Sequence, residues 1–203
     1  ALSITTTGTT TGETDDGIAA HNSSDGTDLT INAATTTGYY DGINAFNDGS
    51  GALSITTTGT TTSETDDGIY AFNSSDSTGD LTINAATTTG AVEGIEAENY
   101  GSGALSITTT GTTTGETDDG IFAFNSSDST GDLTINAATT KGNENGINAV
   151  NNGTGALSIT TTGTTTGETG EGDGIYAKNS GTSLTVNAAD VVGYYNGIYA
   201  DND

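Results

Sequence analysis

Carboxylates recur at one position of a repeated motif, and they are the residues here most able to bind a cation. An acidic residue, or twice an asparagine, precedes each of eight Gly-Ile pairs. This acidic column comprises Asp16, Asp41, Asp67, Glu93, Asp119, Asn145, Asp173 and Asn196. Stacked in register, like charges about 5 Å apart repel by about 1 kcal/mol even in water. Something is expected to relieve that repulsion.

Two hypotheses account for the acidic column. Calcium prefers oxygen ligands, which makes candidate metal ligands of Asp16, Asp41, Asp67, Glu93, Asp119 and Asp173. Alternatively, the carboxylates point into solvent and accept hydrogen bonds in turns. Alternate units add further acids, namely Glu13 and Asp15, Glu64 and Asp66, Glu116 and Asp118, and Glu168 and Glu171. The sequence lacks the nonapeptide of calcium-binding β-rolls and the EF-hand loop. We predict that no cofactor is required and that calcium is the one that could bind.

Catalysis has little support from the residue types. The chain has one histidine, His21, and no cysteine or arginine. His21 occupies a motif position that other units fill with Phe72, Phe124 or Lys178. Hydrolases and lyases need a cleft with placed acids and bases, whereas unit length hardly varies here. We therefore predict no catalytic residues and no enzyme.

Threonines form a regular Thr-x-Thr array in the segment Thr-Thr-Thr-Gly. The first and third threonines are expected to face outward, and the middle one inward, because Val191 replaces it in the last unit. The outward set is Thr9, Thr11, Thr35, Thr37, Thr60, Thr62, Thr87, Thr89, Thr112, Thr114, Thr164 and Thr166. The array resembles the ice-binding face of β-solenoid antifreeze proteins, although Lys141, Asp190 and Val192 interrupt it. Threonine is also simply a favoured strand residue.

Aromatic residues and asparagines occupy two further sets of positions. The outward aromatics are expected to form a contact strip or to stack only on one another, and they are Phe46, Tyr70, Phe72, Phe122, Phe124, Tyr176 and Tyr199. Each Gly-Ile-x-Ala-x-Asn motif ends in an asparagine. The predicted structural Asn ladder is Asn22, Asn47, Asn73, Asn99, Asn125, Asn151, Asn179 and Asn202.

The composition excludes several partners. The 203 residues carry a formal net charge of -25, with only two basic side chains, Lys141 and Lys178. Such a chain cannot neutralise phosphates, so nucleic acid and anionic membrane surfaces are not expected partners. No apolar run reaches the roughly 18 residues of a membrane helix, so we predict no membrane insertion.

Internal repeats then define the elements that must position these residues. The phrase Ala-Leu-Ser-Ile-Thr-Thr-Thr-Gly begins at Ala1, Ala52, Ala104 and Ala156, and each period of about 52 residues holds two similar units. Three segments per unit alternate with period two, and glycine and asparagine punctuate them. This pattern predicts an all-β fold, a parallel β-helix of about eight coils with three short strands each. Crossover statistics favour right-handed winding.

Residues 1–203 are predicted to form one solenoid segment of four two-coil repeats, the last one shorter. Because the pattern is already running at residue 1 and has not stopped at residue 203, we expect a piece of a longer chain.

The near-identical units Gly-Ala-Leu-Ser-Ile-Thr-Thr-Thr-Gly and Asp-Gly-Ile-x-Ala-x-Asn resemble the repeats of large bacterial surface proteins, such as autotransporter passenger domains and filamentous adhesins. The resemblance covers the whole chain and implies a right-handed β-helix on the cell exterior. We therefore expect a structural, non-enzymatic stalk, spacer or filament subunit that contacts itself or a cell or host surface. The alternatives are an ice-binding protein and a calcium-stabilised surface-layer repeat.

Overall fold

The protein is a parallel β-solenoid of eight coils, as the repeat predicts. The computed structural model describes residues 1–170 and 172–203; Glu171, one of the additional acids, lies outside them. The described residues form strands and turns, with no helix among them. The alternation of apolar with hydroxyl-bearing residues, interrupted by glycine, produces this pattern.

Each coil contributes a first, a second and a third strand. In chain order the strands are β1 (Leu2–Thr5), β2 (Thr9–Gly12), β3 (Ile18–Asn22), β4 (Leu29–Ala33), β5 (Thr35–Gly38), β6 (Ile43–Asn47), β7 (Leu53–Thr57), β8 (Thr60–Ser63), β9 (Ile69–Asn73), β10 (Leu81–Ala85), β11 (Thr87–Gly90), β12 (Ile95–Asn99), β13 (Leu105–Thr109), β14 (Thr112–Gly115), β15 (Ile121–Asn125), β16 (Leu133–Ala137), β17 (Thr139–Gly142), β18 (Ile147–Asn151), β19 (Leu157–Gly167), β20 (Ile175–Asn179), β21 (Leu184–Gly193) and β22 (Ile198–Asn202). In the last two coils the first and second strands run together as β19 and β21.

Equivalent strands of successive coils pair in parallel and in register. The third strands form an eight-stranded sheet, in which Ile69 lies between Ile43 and Ile95. The first and second strands belong to one larger sheet, because β19 and β21 run through both faces. Each side chain therefore lies next to its own repeat equivalent, which arranges the surface in columns along the rod.

The core is a thin continuous column of Leu, Ile and Ala. Leu81 and Ile83 of the first strand and Ile95 and Ala97 of the third are fully buried, and their equivalents in coils 2 to 7 are nearly or completely so. The middle threonine of the second strand, Thr88 for example, completes the interior, as the Val191 argument predicts. Most of these threonine hydroxyls find no partner, although Thr140 donates to Thr165 at 3.1 Å, so this column adds mainly methyl packing.

The glycine before the third strand of coils 1 to 7 is required by close packing. A Cβ on Gly68 would lie 2.5 Å from the carbonyl oxygen of Gly94 and 2.5 Å from the methyl group of Thr88. Real Cβ atoms do not approach other atoms so closely, because repulsion rises steeply at such distances. Glycine at this position therefore lets one coil rest directly on the next.

Odd-numbered and even-numbered coils differ at the corner between the first two strands. Leu53–Ser63 spans eleven residues, whereas Leu81–Gly90 spans ten. The longer corner stays attached, because the Thr58 and Gly59 amides donate to the carbonyls of Ala33 and Ala34 at 3.0 and 3.1 Å. The two kinds of corner alternate along the rod, so the structural repeat is a pair of coils.

The Asn ladder is buried at the end of the third strands. Asn47 Nδ2 donates to Asn73 Oδ1 at 2.7 Å and to the Gly51 carbonyl at 3.0 Å, while its Oδ1 accepts from Asn22 Nδ2 and from the Gly49 amide. The amide chain links Asn22 to Asn125 and then Asn151 to Asn202. Between these two runs, Asn125 Nδ2 and Asn151 Oδ1 have no partner. The predicted ladder thus exists as two runs.

We predict that Asn47→Ala lowers the free energy of unfolding by about 2–4 kcal/mol, because it leaves buried amide groups of both neighbouring coils unpaired. Urea unfolding followed by circular dichroism measures the change. Asn32→Ala is the matched control, since Asn32 faces solvent on a first strand and should shift stability by under about 0.5 kcal/mol. Equal losses in the two variants would contradict a structural role for the Asn ladder.

Candidate functional site

The acidic column is half buried or more, so its carboxylates do not point freely into solvent, but they do accept hydrogen bonds in turns, as the second part of the solvent-facing alternative predicts. Asp41, Asp67, Asp119 and Asp173 are only 3–6% exposed. The Oδ1 atom of Asp41 accepts the backbone amide of Asp67 at 3.0 Å, and Asp67 Oδ1 accepts the amide of Glu93 at 3.0 Å. Asp16, Asp119, Asn145 and Asp173 do the same for the residue one coil further on. These side chains therefore act as turn caps between coils.

Carboxylates converge most strongly at coils 2 to 4. Ligand oxygens of Asp41, Asp66 and Asp67 lie within 4.8 Å of one another, and so do those of Asp67, Glu93 and Glu96. The two groups share Asp67, and all their members except Glu93 line a groove of about 270 Å³ that also contacts Asn44 and Tyr70. Four carboxyls around one groove form an all-oxygen donor set of the kind calcium uses.

A third group of carboxylates lies at coils 5 and 6. Oxygens of Asp118, Asp119 and Glu144 approach within 4.8 Å of one another. Here the charge is partly offset, because Asn145 and Asn148 each donate a side-chain hydrogen bond of 2.8 Å to Asp119. Asn44 donates in the same way to Asp41 at 2.8 Å, so the two regions differ mainly in the number of carboxyls, which is larger around Asp67.

The carboxyls around Asp67 hold protons more tightly than ordinary acids. Burial raises the pKa of Asp41 to about 7, with a further rise from the neighbouring Asp67 charge. Burial, together with a hydrogen bond to Asp67, raises the pKa of Glu93 to about 9 and that of Glu96 to about 8. At neutral pH the groove therefore carries shared protons, which a divalent cation could displace.

The sequence located this cluster only in part. Of the six predicted ligands, Asp41, Asp67, Glu93 and Asp119 join a cluster, whereas Asp16 and Asp173 join none among the described residues. Sequence reasoning named Asp66 and Asp118 only as additional acids and did not point to Glu96 or Glu144. Glu96 could have been found, because it is the only acid at its position in the eight third strands.

The Thr-x-Thr array does face outward. In β8 and β14 the middle threonine is buried, while Thr60 and Thr112 are exposed and Thr62 and Thr114 are half-buried. The columns stack in register, with Thr62 beside Thr37 and Thr89. Thr9, Thr11, Thr35, Thr87, Thr164 and Thr166 also point outward, and Lys141 and Val192 occupy the third-threonine column as the sequence indicates.

A second hydroxyl column, which the sequence reasoning missed, lies on the first strands. It is unbroken through all eight coils and comprises Ser3, Thr30, Ser54, Thr82, Ser106, Thr134, Ser158 and Thr185. The signal was present, because each of these residues follows the leucine that opens its unit.

The aromatic strip is two columns rather than one. Phe46 and Phe72 stack with ring centroids 4.4 Å apart, and Tyr100 bridges Phe72 to Phe124 at 5.3 and 5.4 Å. His21 extends this column at 6.2 Å from Phe46. The other column holds Tyr70, Phe122, Tyr176 and Tyr199, of which the last two stack at 5.0 Å. Tyr100 was not foreseen, because it follows the third strand rather than lying in it.

The few basic groups lie near acids on the surface. His21 Nε2 lies 2.9 Å from Asp48 beside a groove of about 490 Å³, which Asp16 and Phe46 also line. Lys141 pairs with Glu168 at 3.1 Å, and Lys178 lies 3.8 Å from Asp203. The absence of catalysis stays a prediction.

Comparisons with known proteins identify no relative. The chain matches no protein-family model, and neither curated proteins nor solved structures give a significant match. Among the described residues, the structure contains no helix that is long and apolar enough to cross a membrane. The fold and its surfaces are therefore the basis for any functional proposal.

We predict that the protein loses stability as pH rises. In the folded protein the pKa of Glu93 is about 9 and that of Glu96 is about 8, whereas the ordinary value is 4.5. Between pH 4.5 and the folded values, the folded state therefore binds more protons than the unfolded chain. The stabilising contribution is present below about pH 4.5 and is lost as pH rises through the folded values. Melting temperatures between pH 5 and 9 measure the trend.

The double variant Glu93→Gln, Glu96→Gln should flatten this pH profile, while the exposed pair Glu64→Gln, Glu116→Gln should leave it unchanged. At pH 8, calcium should raise the melting temperature of the natural protein and of the control, but not that of the Glu93–Glu96 variant. A chelator should then reverse the gain. A profile that is flat in the natural protein, or a calcium effect that survives in the double variant, would contradict the prediction.

Proposed function

We propose that this chain is a structural, non-enzymatic solenoid that serves as an adhesin stalk, rigid spacer or filament-forming subunit outside the cell. The observation that carries the proposal is the in-register pairing of equivalent strands through all eight coils. At about 4.8 Å per coil, the stack is a rod of about 40 Å with one continuous core. Every coil contributes the same three strands, as expected of a rod that holds two ends at a fixed distance.

The interior supports rigidity. Bending the rod would open inter-coil hydrogen bonds on one side, such as those from Ile69 to Gly94 and from Ile95 to Gly120, each 3.1 Å. It would also stretch the Asn ladder, whose amides are buried and cannot exchange partners with water. A solenoid so tied resists bending as a unit, which suits a spacer.

The surface supports an exterior location. A net charge of -25 keeps rods soluble and apart, and calcium, abundant outside cells, would offset it at the carboxylate groups around Asp67. This is the calcium-stabilised surface-repeat alternative, and it is compatible with the spacer role. The resemblance of the repeat units to bacterial surface proteins favours the same location and a partner that is a like chain or a cell or host surface.

Spin-label distances test the rigid rod. The chain has no cysteine, so Ser3→Cys with Thr185→Cys places labels in one column on coils 1 and 8. Seven coil spacings predict a narrow distance distribution near 34 Å. Labels at Ser54→Cys and Thr185→Cys are the control and should give a distribution about 10 Å shorter. A broad distribution, or a difference unrelated to coil number, would refute the spacer role.

Ice binding is a second candidate, favoured by one observation. Outward hydroxyls stand at regular intervals along and across the second strands, and Thr60, Thr62, Thr87 and Thr89 form an uninterrupted patch. Rigid hydroxyl and methyl groups at fixed spacing can order a water layer. The interruption by Lys141 limits the continuous array to coils 1 to 5.

If the second-strand face binds ice, the protein will show thermal hysteresis, and Thr62→Tyr with Thr89→Tyr will abolish it by lifting ice from the flat surface. Thr82→Tyr on the first-strand face serves as control and should preserve the activity. Nanolitre osmometry measures the difference between melting and freezing temperatures. No hysteresis in the natural protein would eliminate this candidate.

A further inference from the structure

The third-strand sheet carries an outward surface at coils 3 to 5 in which carboxylates alternate with aromatic rings. We call it the acid–aromatic face, and it comprises Tyr70, Phe72, Glu96, Glu98, Tyr100, Phe122 and Phe124. These side chains are half-buried, so their rings and carboxylates are open to solvent on one side. The surface lies in the middle of the rod, away from both ends of the chain.

Register places each carboxylate between two rings. Glu96 pairs with Tyr70 in the coil before and with Phe122 in the coil after. Glu98 pairs in the same way with Phe72 and Phe124. Tyr100 closes the side, with its ring 5.3 Å from Phe72 and 5.4 Å from Phe124. A group lying over either carboxylate therefore also touches aromatic rings.

The ionisable groups of this face are acidic, and no lysine lies among them. Burial raises the pKa of Glu98, and hydrogen bonds from the Tyr100 and Tyr70 hydroxyls lower it. Glu96 borders the groove that Asp41, Asp66 and Asp67 also line. Both lysines of the chain lie elsewhere, in coils 6 and 7, near their own acidic partners. The face therefore carries two carboxyls and no basic group of its own, and a cation placed over them would favour their ionised form.

We propose that the acid–aromatic face docks a basic polypeptide segment, with arginine side chains that pair with Glu96 and Glu98 and stack on the flanking rings. An arginine guanidinium group fits this arrangement, because it is planar, donates two hydrogen bonds to one carboxylate and stacks on aromatic faces. Charge complementarity selects the partner, since the chain carries -25.

Other occupants fit less well. A second copy of this chain would bring the same negative face and net charge of -25, so the two copies would repel each other. A bare calcium ion would use the carboxylates around Asp67 but would leave the rings without a role. Only a cation with a flat apolar surface can both pair with the carboxylates and stack on the rings.

The test is binding of a short fluorescein-labelled peptide in which arginine alternates with glycine, followed by fluorescence anisotropy. Near physiological ionic strength the Debye length is about 8 Å, so diffuse attraction is screened. We expect saturable binding that weakens roughly tenfold in Glu96→Gln, Glu98→Gln, a loss equivalent to about 1.4 kcal/mol. A lysine peptide should bind more weakly than the arginine peptide, because lysine lacks the planar stacking group.

Matched variants separate this face from general acidity. Glu64→Gln with Glu116→Gln removes the same charge from exposed turns and should change affinity little. Phe124→Leu keeps the charge but removes a ring, and it should weaken arginine binding more than lysine binding. Circular dichroism confirms that each variant is folded.

Equal losses in the two glutamate pairs would overturn the proposal, because binding would then reflect diffuse charge. Absence of saturable binding would overturn it too. Concentration-dependent dimers in sedimentation that disappear in the Glu96–Glu98 variant would assign the face to a second copy instead. None of these outcomes depends on whether the rod serves as a spacer.

Discussion

Each residue of this protein must tolerate its own equivalent as its nearest neighbour, because parallel in-register pairing places like upon like at about 4.8 Å. For apolar residues the condition is favourable, and the Leu–Ile–Ala interior follows from it. For asparagine it is also favourable, because an amide both donates and accepts. For a carboxylate it is unfavourable, since two acceptors of the same charge meet. The chemistry of the surface follows from how each column meets this condition.

The acidic column meets it with backbone donors. Each aspartate turns one oxygen to the amide of the next coil, so the repeat converts a like-charge contact into a charge-assisted hydrogen bond. Where asparagine replaces aspartate, as at Asn145 and Asn196, its Nδ2 also donates to the aspartate of the coil before. Around Asp67, Glu93 and Glu96 add further carboxyls, and there the raised pKa values show that protons, rather than amide donors alone, relieve the repulsion.

Sequence reasoning recovered what depends on periodicity. The alternation of apolar and polar residues correctly predicted that Leu81 and Ile83 face inward. The valine at position 191 correctly predicted that the middle threonines face inward as well. Sequence reasoning could not recover the burial of Asp67, which depends on an amide donated by the following coil. Nor could it place Tyr100, because a turn residue has no period-two rule to assign its direction. The clusters formed where side chains of neighbouring columns meet across a corner, and such contacts need coordinates.

The alternation of a longer and a shorter corner has a consequence for how such a chain changes over generations. Gain or loss of one coil would set two like corners against each other and disturb their hydrogen bonds. Gain or loss of a pair keeps the longer and shorter corners alternating. Unequal crossing-over between the near-identical 52-residue units starting at Ala52 and Ala104 would therefore change rod length in steps of about 10 Å, and no other mutation would be needed. The length of the rod can therefore be inherited in steps of one coil pair.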